Sequence, residues 1–275
     1  AIRLDNPNHS SRWYPGAGLY RNVWLTKTSP IHVSQFGSFV HSTDISQASA
    51  TINLELAINN PFNSAQAVTT NTTLYTLNNG KKGEEVGRII QDVSLAPRKI
   101  TQLKGKTVIQ KPKLWGPPPN QQPNLYLAET LVLADGKVVD NYRTQFGIRS
   151  LRFDSNEGIF VNGEKIDIKG GNLHHDLGPL GGAFNTDAAK RQLEMMVEMG
   201  ANSIRLAHNP PAREFLELTD QMGIFVIDEI FDVWKRKKTP LDLHLIFPDW
   251  YEADLRSFIR RDRNHPSVIM WSIGN

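Results

Sequence analysis

Ser203-Ile204-Arg205-Leu206-Ala207-His208-Asn209-Pro210-Pro211-Ala212-Arg213-Glu214-Phe215-Leu216-Glu217-Leu218-Thr219-Asp220-Gln221-Met222-Gly223-Ile224-Phe225-Val226-Ile227-Asp228-Glu229 reads as a strand, a helix and a second strand. Ser203–Leu206 is a short, largely apolar run. A helix from about Pro211 to Met222 has proline in its first turn and Gly223 just past its end, the asymmetry helices favour. Ile224–Ile227 is wholly apolar, as expected for a strand covered on both faces. A strand–helix–strand unit with short loops implies a right-handed crossover and a parallel pair.

The same alternation extends to both sides. Upstream, Ile166–Gly170 is expected to be a strand. Asp187–Met199 is expected to be a helix capped by Thr186, with Leu193, Met196 and Val197 on one face and Gly200 as its stop. Downstream, Asp249–Asp262 is expected to be a helix. Its Asp249 and Glu252 have capping-box spacing, Leu255, Phe258 and Ile259 form an apolar face, and basic residues end it. Val268–Ile273 makes a fourth strand. Four strands and three helices over residues 149–275 amount to half of an eightfold barrel, which takes roughly 250 residues.

Residues 1–148 have another texture. Short β-branched or alternating runs recur at Ile31–Val33, Thr51–Leu56, Thr72–Leu77, Val108–Ile109 and Leu125–Leu127. Turn clusters such as Asn59-Asn60-Pro61 and Asn78-Asn79-Gly80 separate them. Such spacing predicts a β-sandwich of about seven strands. Pro117-Pro118-Pro119 forbids ladder pairing and belongs in a loop. The fold class is therefore multidomain, β followed by α/β.

Composition excludes several functions. With 31 Lys and Arg against 28 Asp and Glu, the net charge of +3 is too small and too interspersed to imply nucleic acid. No apolar run approaches the roughly 18–20 residues of a membrane span. The absence of cysteine removes disulfides, thiolate metal sites and cysteine nucleophiles. No residue pattern assigns a compartment.

Each barrel strand leads into polar groups. The first is followed by Asn172, His174, His175 and Asp176, and the second carries Arg205 and leads to His208 and Asn209. The third runs into Asp228 and Glu229, with Asp232 beyond, and the fourth ends at Asn275. Reacting groups of barrel enzymes sit at these carboxyl ends. Taken singly, the residues have plainer readings: Asp228 or Glu229 as the salt-bridge partner of Arg205, and His174 or His175 as a structural histidine. A metal hydrolase using His174, His175, Asp176 and His208 finds no tight ligand spacing, and a serine triad lacks its strand–turn nucleophile signature. Glycoside hydrolysis needs carboxylates at strand ends and neutral donors for sugar hydroxyls. Trp234 and Trp271 are aromatic neighbours suited to a sugar.

Ser11–Leu25, Arg205-Leu206-Ala207-His208-Asn209-Pro210 and Arg261-Asp262-Arg263-Asn264-His265-Pro266-Ser267-Val268-Ile269-Met270-Trp271-Ser272-Ile273-Gly274-Asn275 closely resemble glycoside hydrolase family two, which includes β-galactosidases, β-glucuronidases and β-mannosidases. The resemblance implies residues 1–27 as the tail of a sugar-binding jelly roll, 28–148 as an immunoglobulin-like sandwich, and 149–275 as the first half of a (β/α)8 TIM barrel. It implies a retaining mechanism whose two glutamates, acid/base and nucleophile, both fall after Asn275, leaving no catalytic residue within the chain. Asn275 would bind the sugar 2-hydroxyl, and His174 and His208 would line the sugar site. Arg205 would lie below the nucleophile, while Asp228, Glu229 and Asn209 would support. The Asn172–Gly178 stretch looks most like β-galactosidases.

No cofactor is expected. Some relatives place magnesium ligands after the Asp-Glu pair, but Phe231-Asp232-Val233-Trp234-Lys235 does not match that pattern. An acidic sugar contact in the first motif also has no counterpart, Arg12 standing in its region. Lys235-Arg236-Lys237-Lys238 reads as a solvated loop, and Trp13, Tyr14 and Trp24 as packing residues. The expected ligand is a β-galactoside or related oligosaccharide, with no nucleic acid or membrane partner. The open half-barrel edge predicts self-association, and the chain alone is expected to be inactive. A non-catalytic module binding carbohydrate or a partner through the sandwich is the alternative of another class.

Overall fold

Strand β2 (Ser49–Asn60) buries every second side chain, and Ala50, Ile52, Leu54, Leu56 and Ile58 are all enclosed. That period of two is the signature of a strand with one face on a core. In this computed structural model, which describes residues 2–5, 7–11 and 19–275, β2 lies between β1 (His32–Thr43) and β5 (Lys99–Gln110) in a three-stranded antiparallel sheet. A second sheet, in the order β4-β3-β6-β7, is built from β3 (Gln66–Asn78), β4 (Lys81–Leu95), β6 (Leu125–Ala134) and β7 (Lys137–Phe146). Its Leu74, Tyr126, Val132 and Phe146 share one buried cluster with the β2 residues. Seven strands thus form the sandwich, and it is the immunoglobulin-like one. The long β4 has no counterpart among the expected strands. It is an edge strand whose first five residues are exposed and mostly charged, a composition that protects an edge but hides the strand signal.

β8 (Leu151–Asp154), β9 (Gly158–Val161) and β10 (Glu164–Ile166) make a small antiparallel sheet. Ile166 therefore closes a hairpin on Ile159 rather than opening the first barrel strand. The signal was Asn162-Gly163, both at positive φ, the dipeptide that favours a two-residue hairpin turn. The compact unit holding the sandwich runs from Leu25 to Ile166 and includes Arg263–Pro266, where Asn264 accepts from Val40 N and donates to Ser38 O.

The other unit holds Asp167–Asp262, Ser267–Asn275 and the described residues before Leu25. Its four parallel strands follow chain order: β11 (Gly170–Leu173), β12 (Ser203–Leu206), β13 (Phe225–Glu229) and β14 (Val268–Ser272). β11 starts where the predicted first strand was to end. A Cβ on Gly170 would overlap Ser203 O, so the close β11–β12 approach requires glycine there. Three helices, α1 (Thr186–Glu198), α2 (Arg213–Met222) and α3 (Phe247–Asp262), alternate with these strands. Asn185, not Thr186, caps α1 by accepting from Ala188 N. The inner face of α1 is Ala189 and Leu193, while Val197 is exposed. α2 begins two residues after Pro211, and Gly223 ends it in the left-handed region. Ala189, Leu193, Leu216 and Leu218 pack with Ile204, Leu206, Val226 and Val268, which is the core of a partial TIM barrel.

Candidate active site

Strand register brings the site together. Asn172 pairs with Arg205, Arg205 with Ile227, and Glu229 with Ser272. Because side chains alternate, Glu229 shares a face with Ile227 and hence with Arg205 and Asn172. Glu229 is the node. Its Oε2 accepts from Arg205 Nε at 3.0 Å, Arg205 Nη2 at 2.6 Å and Ser272 Oγ at 2.5 Å. Its Oε1 faces His208 Nδ1 at 2.5 Å. The carboxylate is wholly enclosed, and Arg205 is largely so. Of the two acids that could have paired with Arg205, Glu229 is the one that does.

This arrangement sets the neighbours' roles. The contact to Glu229 through Nδ1 orients the His208 ring. His174 lies edge-on to His208, with ring centroids 5.2 Å apart. Burial, then the positive fields of His208 and Arg205, lower its pKa, so His174 is neutral at neutral pH. Arg205 also reaches Asn172 Oδ1 at 3.4 Å and Asn275 Oδ1 at 3.3 Å. Asn275 Nδ2 donates to Asp232 Oδ1 at 3.0 Å. Asn172, His174, Arg205, His208, Glu229, Ser272 and Asn275 thus converge at the carboxyl ends of the four strands.

Other candidates point elsewhere. His175 accepts from the Arg21 guanidinium at Nδ1 and donates from Nε2 to Asn209 O at 3.2 Å. Burial first, then Arg21, push its pKa down to about 4. It is a structural histidine, and Asn209 enters through its backbone carbonyl. Trp271 packs edge-on against Phe258 of α3, so it faces the helix layer. Arg12, Trp13 and Tyr14 lie outside the described residues, and Trp24 is exposed rather than packed.

Asp228, the neighbour of Glu229, faces the helix layer too. It is buried beside Asp262, whose oxygens are held by Arg261 Nε at 2.7 Å and Nη2 at 2.6 Å. Desolvation, then the Asp262 carboxylate, push the Asp228 pKa up to about 9. Asp228 is therefore the protonated member of the pair. An acid raised on folding stabilises fully below its unfolded pKa, near 3.9, and loses that contribution as pH rises toward the folded value. Between pH 4 and 9 the wild type should lose stability relative to Asp228→Asn, which donates without titrating. Urea midpoints that fall in parallel for the two proteins would contradict this.

Two family descriptions match the chain. "Glycosyl hydrolases family 2" covers residues 31–149, and "Glycosyl hydrolases family 2, TIM barrel domain" covers residues 154–275. The chain belongs to glycosyl hydrolase family 2. Among family 2 relatives, the β-galactosidase BoGH2A of Bacteroides ovatus is 42% identical over all of this chain and 32% of its own length. A putative β-glucuronidase of Formosa agariphila is 34% identical over all of this chain and 25% of its own. The crystal structure of a family 2 member from Bacteroides cellulosilyticus superposes with a TM-score of 0.90 at 36% identity, covering 96% of this chain and 33% of that one. The chain thus spans about a third and a quarter of the length of these two relatives.

Family 2 membership raises magnesium as a candidate ion for the residues after β13. Among the described residues no group of three His, Cys, Asp or Glu side chains is arranged to hold a metal ion. Phe231 is buried, and Lys238 Nζ already sits 3.0 Å from Asp232 Oδ1. No described helix is long and apolar enough to cross a membrane.

Proposed function

We propose that this chain supplies the sandwich and leading half-barrel of a retaining glycosidase that cleaves terminal β-D-galactosides. The observation that carries the reading is the Glu229-centred cluster, which sets hydrogen-bonding groups, His208, His174 and Asn275, where barrel enzymes hold substrate. In this reading a glutamic acid of the parent sequence protonates the glycosidic oxygen. A second glutamate attacks the anomeric carbon to form a glycosyl-enzyme, which water then hydrolyses. The present residues bind and orient the sugar.

Two observations favour a neutral sugar over a uronate. Arg205 is matched by Glu229 and Lys238 by Asp232, so neither cation is left to grip a sugar carboxylate. BoGH2A, identical at 42% of positions, is a β-galactosidase. Steady-state kinetics of the full-length protein on nitrophenyl β-galactoside, β-glucuronide and β-mannoside test the reading. The galactoside should have the highest kcat/KM, and preference for the glucuronide would overturn the choice of sugar.

The edge strand β14 pairs only with β13 among the described strands, and Trp271 and Ile273 are exposed beside it. An open edge with apolar neighbours recruits another strand. The 275-residue chain is accordingly expected to self-associate. A strictly monomeric mass by light scattering at high concentration would contradict this.

A further inference from the structure

The segment after β13 is fastened from within. Asp242 Oδ2 accepts Lys238 N at 2.8 Å and Thr239 N at 2.6 Å, and its Oδ1 accepts His244 N at 3.0 Å. Burial raises the Asp242 pKa, but the Thr239, His244 and Lys238 backbone donors outweigh it and hold the carboxyl well below its usual range. With its backbone fixed, Lys238 turns its ammonium inward. Nζ lies 2.6 Å from Asp232 O, 3.0 Å from Asp232 Oδ1 and 3.0 Å from Asn275 O. An ammonium has three N–H donors, and here three oxygens face it. Lys235, Arg236, Lys237 and Lys238 are all exposed, as the sequence predicted, but the Lys238 side chain folds over far enough to keep only 27% of its accessibility.

The fastening reaches the site. Asn275 Nδ2 donates to the Asp232 oxygen that Lys238 holds, and Asn275 Oδ1 accepts from Arg205. Exchanging the amide oxygen and nitrogen would set donor against guanidinium and acceptor against carboxylate, so only one orientation satisfies both partners. Trp234 Nε1 adds a bond to Ile273 O at 2.7 Å, and its indole would overlap any Cβ on Gly274. Asn275 N also donates to Phe231 O at 3.1 Å. The arm after β13 and the end of β14 are joined at several points, and one of them carries charge.

We propose that Lys238 is a positioning residue: a built-in cation that, through Asp232, sets the rotation of the Asn275 carboxamide for the sugar. The proposal rests on Asn275 as the group that meets the sugar 2-hydroxyl.

Two measurements test it. In the full-length protein, Lys238→Met should lower kcat/KM on nitrophenyl β-galactoside by about 10- to 100-fold, the scale of a small misplacement. The loss should shrink to under about 3-fold on the 2-deoxygalactoside, which lacks the hydroxyl Asn275 would hold, and Lys238→Arg should restore most activity. Equal losses on both substrates, or none, would overturn the proposal. In the 275-residue chain, the side-chain amide protons of Asn275 should be dispersed in the wild type and in Lys238→Arg. They should collapse toward free-amide positions in Lys238→Met; unchanged resonances would refute the hold on Asn275. A wild type that cleaves no β-glycoside defeats the functional reading, and with it the role in sugar binding, while the amide spectra decide the contact separately.

Discussion

Glu229→Ala is expected to lower the unfolding free energy of the half-barrel unit by about 3–5 kcal/mol, the usual consequence of removing one partner of a buried ion pair. Glu229 is fully enclosed and holds Arg205, His208 and Ser272 at once. Its loss leaves a largely buried guanidinium without its counter-charge and removes the oxygen that orients the His208 ring. Glu229→Gln keeps the volume and one acceptor, so it should cost less in stability. Its amide nitrogen would still face a donor, however, and His208 would be misdirected. Urea denaturation of the chain, followed by tryptophan fluorescence, measures the difference. A change below about 1 kcal/mol for the alanine variant would show that Glu229 is not the node of the cluster.

Asn275→Ala in the full-length protein is expected to reduce kcat by about 100- to 1,000-fold, as removal of one preorganised donor does elsewhere. Hydrogen bonds to the sugar 2-hydroxyl strengthen as the oxocarbenium-like transition state forms, so the loss should fall on kcat more than on KM. Asn275 is exposed, and its side chain bridges Arg205 and Asp232 rather than filling a core. Stability should therefore change little. A rise in KM with kcat intact would mean that Asn275 binds ground state and transition state equally.

The architecture was legible wherever a period met a cap or a turn. Alternation in Thr51–Leu56 and Thr72–Leu77 marked the sandwich, and Gly200 and Gly223 marked helix ends. β4 was not legible because its charged edge face breaks the alternation. Ile166-Asp167-Ile168 imitated a barrel strand, although Asn162-Gly163 just before it announced a hairpin.

In the site, residue types at strand ends identified Arg205, His208, His174 and Asn275 as candidates. Which of Asp228 and Glu229 meets Arg205 depends on which face each occupies. That follows from the β12–β13 register, a property of paired strands rather than of either segment. Lys238 was hidden for a related reason. Its neighbours are solvated, and only the fold of residues 235–242 around Asp242 turns that one ammonium toward Asp232.

Stereochemistry decides whether these residues orient a sugar for retaining hydrolysis. Proton NMR of the full-length protein acting on nitrophenyl β-galactoside should show β-galactose as the first product, with the α anomer appearing only by mutarotation. Initial release of α-galactose, or no turnover by correctly folded protein, would contradict it.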